Sequence, residues 1–148
     1  MTISWAEKAK LTSSDAAGSD NFGRSVNVSG DYAIIGVQYD DDDGTSSGSA
    51  YIFKKDTGAE TWAQKAKLTA SNAGTEDQFG ISVSIDGEYA IIGATTEDTE
   101  GNNAGAAYIF KKDSGAETWT EKAKITASDG SGDNRFGHSV AIQGDYAI

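Results

Sequence analysis

The chain has 148 residues, with 12 basic against 23 acidic side chains for a net charge of −11, and it contains neither cysteine nor proline. Such a surface repels phosphate backbones and anionic headgroups, which argues against nucleic acid and membrane surfaces as partners. Without cysteine there are no disulfides and no thiolate metal centres. No apolar run approaches the roughly 20 residues of a membrane-spanning helix, and no signal-peptide pattern follows Met1.

A period of 57 residues governs everything after that. Trp5, Trp62 and Trp119 keep it, as do Phe22, Phe79 and Phe136. A fixed period in this range marks a propeller, solenoid or array. The repeats read as residues 5–61, 62–118 and a partial 119–148. That is fewer than the roughly 4–8 blades of a closed propeller. The expectation is therefore a piece of a longer protein, or a unit that completes itself by assembly.

Each repeat opens on a tryptophan segment: WAEKAKLT at 5–12, WAQKAKLT at 62–69, WTEKAKIT at 119–126. Trp5, Ala9 and Leu11 occupy alternate positions, and eight residues are too short for an isolated helix, so a strand is expected. A loop of small polar residues follows at 13–21. Then come Phe22 and Gly23 and a strand at 25–28, with Val26 and Val28 on one face; its copies carry Val83 and Ile85, then Val140 and Ile142. The pairs Ser29–Gly30, Asp86–Gly87 and Gln143–Gly144 signal a tight hairpin, since such a turn requires positive φ. The next strand, YAIIG at 32–36, is almost continuously apolar, as suits burial on both faces. A variable acidic loop leads to AYIF at 50–53, and KKDTGAE leads to the next tryptophan. Four short strands per repeat and no helix give an all-β chain of antiparallel propeller blades.

The string FGxSVxxxGDYAIIG followed by GxAYIF resembles the FG-GAP repeat of integrin α-subunit propellers and of many bacterial surface or secreted proteins. Phe22 and Gly23, Phe79 and Gly80, and Phe136 and Gly137 match its FG; Gly36 with Val37 and Gly93 with Ala94 match its GAP without the proline. The resemblance implies blades with the FG strand innermost, then YAIIG, AYIF and the tryptophan strand outermost. It also implies an extracellular or cell-surface setting. Calcium-binding members carry a DxDxDG loop between the first two strands. Here that connection is a two-residue turn, so the family calcium site is not carried over, and the chain resembles the short-loop bacterial type. In that order, residues 5–12 are an outer strand without its blade and the third repeat supplies only inner strands. Free strand edges are templates for pairing, so self-association between copies, or pairing with further repeats, is expected.

Candidate chemistry is sparse. Residues 40–43 with Gly44 are dense in carboxylate, and Glu97, Asp98 and Glu100 keep acids in the second copy, yet neither loop satisfies a calcium-loop pattern. A solvated acidic rim is the plain reading; calcium is the alternative, and no cofactor is otherwise expected. Asp15, Asp20, Asn72, Asp77, Asp129 and Asn134 recur before FG, where Asx side chains cap turns. His138 stands where Arg24 and Ile81 stand in the other repeats, which marks a variable, partly exposed position. Ser25, Ser82 and Ser139 recur without a companion base, so no nucleophile is assigned. The recurrent Trp and Tyr residues read as packing between blades. Tyr39, whose counterpart in the second repeat is Thr96 and not an aromatic, is the one aromatic in a variable loop. Ligand contacts are therefore expected on Tyr39, Asp40, Asp41, Asp43, Glu97, Asp98 and Glu100. The preferred reading is a non-enzymatic extracellular recognition or adhesion module for a protein or glycan. The alternatives are a self-assembling ring or filament unit and an accessory propeller of a larger secreted enzyme; size in solution separates the first of these, and the parent sequence the second.

Overall fold

The computed structural model describes residues 6–148. A first antiparallel sheet runs β1 (Ser25–Ser29), β2 (Tyr32–Val37), β3 (Ser49–Lys55) and β4 (Trp62–Leu68) in sequential order. A second repeats it as β5 (Phe79–Asp86), β6 (Tyr89–Ala94), β7 (Ala106–Lys112) and β8 (Trp119–Ile125). A hairpin of β9 (Ile142–Gln143) and β10 (Tyr146–Ala147) stands where a third sheet would begin. These are propeller blades that do not close into a ring.

Local chemistry accounts for the strands with two adjustments to expectation. Ser29 pairs with Tyr32 and Asp86 with Tyr89, so the turn residues are Gly30–Asp31 and Gly87–Glu88, one position later than the sequence reading placed them. Glycine leads each turn, with φ of 56° at Gly30 and 58° at Gly87, as a two-residue hairpin with positive φ at its first position requires. Of the first tryptophan segment, Trp5 lies outside the described residues, and residues 6–12 form no strand. The copies at β4 and β8 are strands because each has β3 or β7 to pair with; a lone edge segment has no ladder to join. Leu11 still packs, with Phe22 and Trp62, on the apolar face formed by Ala33, Ile35, Val37, Tyr51 and Phe53.

The blades meet at their inner strands, and there the contact is largely backbone. A Cβ placed on Gly36 would stand 2.0 Å from the carbonyl oxygen of Gly80 and 2.3 Å from Ser25 Oγ. Only glycine allows that approach. Ser25 Oγ donates to the same Gly80 carbonyl (2.9 Å), and Ser82 repeats the bond to Gly137 (2.6 Å). The recurrent serines thus bond the backbone of the next blade rather than of their own. Two positions on, Asn27 Oδ1 accepts from the Ile85 N–H (3.0 Å), and Ser84 Oγ accepts from the Ile142 N–H (3.1 Å). Two further on, Ser29 Oγ accepts from Gly87 N–H (3.2 Å) and Asp86 Oδ2 from Gly144 N–H (2.8 Å). Side chains of period two on an inner strand therefore form a polar ladder to the following blade.

Apolar packing fills the space behind this ladder. Ile34, Ile52 and Leu68 of the first blade join Phe79, Val83, Ile92, Phe110 and Trp119 of the second in one core. Tyr32 meets Trp119 edge-on at 6.2 Å between ring centres, as the packing reading of the aromatics requires. Val83 and Ile85 are 8% and 3% exposed against the first blade, whereas Val26 and Val28, their counterparts on β1, are 65% and 68% exposed. Burying a side chain of this size is worth about 2 kcal/mol, so β1 presents a face built for a neighbour.

Gly36→Ala should lower stability by about 1–3 kcal/mol through the forced separation of the blades. Gly58→Ala, with no atom within 4 Å of the added Cβ, is the comparison. Urea unfolding midpoints that shift equally in the two variants would contradict the close-approach account.

Candidate functional site

The loop after β2 folds inward around a lysine from the outer strand. Lys67 Nζ lies 2.9 Å from Asp15 Oδ2, 2.9 Å from Asp40 Oδ2 and 2.5 Å from Asp42 Oδ2. The Tyr51 hydroxyl lies 2.8 Å from Asp15 Oδ1 and 3.0 Å from Asp40 Oδ2, and Ser49 Oγ donates to Asp40 Oδ2 at 2.9 Å. The second blade rebuilds the core of this arrangement. Lys124 reaches Glu97 Oε1 at 2.7 Å, Asn72 Nδ2 donates to the same oxygen at 3.0 Å, and the Tyr108 hydroxyl donates to Asn72 Oδ1 at 2.8 Å. Thr99 bonds both Glu97 and Lys124.

Electrostatics here are those of a pinned ion cluster. Burial pushes the Asp40 carboxyl up, but the bonds from Lys67, the Asp42 backbone, Ser49 and Tyr51 outweigh it and hold it below the usual range. Glu97 follows the same logic, burial being overcome by Lys124 and Thr99. Burial works against the Lys67 charge as well, and its acidic and tyrosine partners more than restore it, leaving the ammonium well above its ordinary value. Burial drives both tyrosine hydroxyls, Tyr51 and Tyr108, upward, so they act as neutral donors.

The carboxylate oxygens of Asp15, Asp40 and Asp42 lie within 4.8 Å of one another, which raises the question of a metal. The ammonium of Lys67 already lies against all three. The copy replaces Asp15 by Asn72 and Asp42 by Thr99 while keeping the lysine, so the repeated unit is an acid–lysine pair and not a ligand set. The place of the family calcium loop, Gly30–Asp31, is a two-residue turn that cannot wrap a cation. Neither position fits calcium.

The expected ligand residues divide into two kinds. Asp40 and Glu97 are 4% and 3% exposed and belong to the ion clusters, so the acidic loop is only in part a solvated rim. Asp41 Oδ1 accepts from the Ser46 N–H and Asp98 Oδ1 from the Asn103 N–H, each at 2.7 Å, closing matched loops. Asp43 and Glu100 are exposed, and Tyr39 is 37% exposed. The residues missed from sequence are Lys67 and Lys124 with Tyr51 and Tyr108. Their signal was available, since an acid at 40 or 97, a tyrosine and a lysine recur together at the period.

The Asx residues before FG behave partly as expected. Asp20 Oδ2 accepts from Ala17 N–H and Asp77 Oδ2 from Gly74 N–H, both at 2.8 Å, which are turn caps. Asp15 and Asn72 instead serve the clusters. Asp77 is buried, and that burial, with the nearby charges of Glu97 and Asp98, pushes its carboxyl up to about 6 against the pull of the Gly74 N–H and Lys124.

Two predictions follow the charges. Lys67→Met should destabilise the protein by about 3 kcal/mol at pH 7, because Asp40 loses its cation while staying buried; an unfolding midpoint within error of the parent would contradict the cluster. For Asp77, the folded carboxyl binds its proton more tightly than the unfolded one. Its contribution is therefore complete below pH 4 and lost as pH rises through 6. Asp77→Asn, the residue found at the matching position 134, should be more stable than the parent at pH 7 and no more stable near pH 4. Parallel stability–pH curves for the two proteins would refute this.

A sequence profile of the FG-GAP repeat matches residues 5–53, 62–110 and 119–148. A search of curated proteins returns no match to the chain.

Proposed function

The chain belongs to the FG-GAP repeat family, and on that premise we propose that it is a non-enzymatic recognition or adhesion segment of an extracellular or cell-surface propeller. In this reading residues 1–148 are one propeller segment, with repeats at 5–61, 62–118 and 119–148. The observation that carries it is the contrast within each blade. The frame is repeated almost residue for residue, whereas the loops after β2 and β6 differ in sequence and are held by matched internal clamps at Asp41 and Asp98. Variable loops on a rigid frame are where binding surfaces are built. Tyr39, Asp41, Asp43, Asp98 and Glu100 are the exposed groups such a surface offers, with Asp40 and Glu97 beneath them as supports. A protein or glycan is the ligand class. The serine hydroxyls nearest a nucleophile pattern, Ser25 and Ser82, are committed to carbonyls of the next blade, which favours binding over catalysis.

A second reading has its own support. The exposed Val26 and Val28 have buried counterparts at the one complete interface between blades, so a second copy or a further repeat would find a ready-made surface there. Stacking of copies into a ring or filament would use it.

Selective binding to members of a protein and glycan array, lost on Tyr39→Ala combined with Asp43→Asn without a change in melting temperature, is expected for the first reading; binding indifferent to that change would refute it. Sedimentation velocity separates the second. Concentration-dependent association abolished by Val28→Asp is expected, and a monomer at every concentration would exclude stacking of copies.

A further inference from the structure

We propose that the depression at the start of the inner strands binds the carboxylate of a single acidic sugar. Three repeats contribute to it at matching positions: Arg24, Ile81 and His138 follow FG, and Arg135 stands with Gln78 just before it. Arg24 and Arg135 are both of the arginines in the chain, and His138 is its one histidine. A protein of net charge −11 thus gathers its most anion-specific side chains in one place.

Their pairing supports a ligand role. Every ion pair among the described residues is made by a lysine: Lys8, Lys54, Lys67, Lys122 or Lys124. Neither arginine is spent on an internal carboxylate. Arg24 Nε instead donates to the buried Gln38 Oε1 at 2.9 Å, which orients the guanidinium and leaves its terminal N–H groups as a fork. A fork of that kind matches two carboxylate oxygens. The root of Arg135 is fixed as well: its N–H donates to Asn103 O at 3.1 Å, and its carbonyl accepts from His138 N–H at 3.2 Å.

The remaining lining narrows the ligand. Gln38, Gln78 and Thr96 offer neutral donors and acceptors suited to hydroxyls, and the ring of Tyr39 forms an edge on which a sugar face can lie. The volume of about 270 Å³ falls just below the roughly 300–1,000 Å³ range for small-molecule sites, which suits a single ring. No carboxylate lines the depression, while the loops that continue from Tyr39 and Thr96 carry exposed acids at Asp41, Asp43, Asp98 and Glu100. A polyanion long enough to run along those loops would meet their acids, which favours a ligand with one carboxylate. This deepens the recognition reading in that it takes the protein as a binder. The two readings share Tyr39 but not the arginines or the rim acids, so Asp43→Asn alone and the arginine variants make them fail separately.

The test is titration of the purified protein with glucuronate, glucose, sulfate and an acidic dipeptide, followed by amide NMR shifts. Glucuronate should move the resonances of Arg24, Gln38, Thr96 and His138, with glucose and sulfate much weaker. Arg24→Gln and Arg135→Gln should each weaken it about tenfold or more, with Lys122→Gln unchanged. Ile81→Arg, adding a third guanidinium at the matching position, should tighten binding and stays informative if an arginine variant folds poorly. The proposal is overturned by no shifts at about 50 mM glucuronate, or by equal binding in the arginine variants. It is equally overturned if sulfate, glucose or the dipeptide binds as well as glucuronate, or if Ile81→Arg leaves the affinity unchanged.

Discussion

Successive blades touch where two backbones come too close for any side chain, Gly36 against the Gly80 carbonyl and Gly93 against that of Gly137. The rest of the structure depends on that approach. It brings β1 near enough to β5 for Ser25, Asn27 and Ser29 to bond the next strand, and it sets the depth at which Val83 and Ile85 meet the first blade. The inner strand therefore has to be polar on one face and β-branched on the other. A second backbone contact locks the same junction: Phe79 N–H donates to Ser47 O and Phe136 N–H to Ala104 O, so each loop after a second strand is sewn to the entry of the next blade. Geometry of this kind repeats only if the sequence does, which is why the period is kept so strictly.

Charge is arranged by the same architecture. The outer strands β4 and β8 place lysines over the rim, and there the ammonium groups of Lys67 and Lys124 hold buried acids of the variable loops. At the other edge of the interface Lys54 bonds Glu117 at 2.5 Å, and that carboxylate, with the Tyr32 hydroxyl, lifts the lysine to about 12. Lysine is thus the structural cation of the blades. The arginines stand apart from it at the inner ends, and neither makes an ion pair among the described residues.

Much of the architecture was legible because its causes are local or periodic. Trp62, the FG pairs, the YAII run and the leading turn glycines each state a strand, a bulge or a turn in their own residues, and the period supplies the blade. The two-residue hairpin that removes the family calcium loop could be read from Gly30 and Gly87 alone. What stayed hidden depends on contacts between distant residues. Asp40 looked like one carboxylate among four in a solvated run; only Lys67, 27 positions away on another strand, explains why it is buried. Ser25 likewise carries no mark of bonding across blades rather than within one. The segment at 6–12 reads as a strand because its copies are strands, but ladder formation belongs to the partner and not to the segment. Arg24, Ile81 and His138 looked interchangeable in a column of repeats, and their convergence on one depression appears only when three blades are set side by side.

Amide hydrogen exchange on Asn27→Ala tests the stacking account most directly, because Asn27 Oδ1 is the acceptor for an amide of the next blade. The account predicts faster exchange at Ile85 and Gly87 while the β2–β3 ladder around Ile34 and Ile52 keeps its protection. Unchanged protection at Ile85, with the protein otherwise folded, would contradict it.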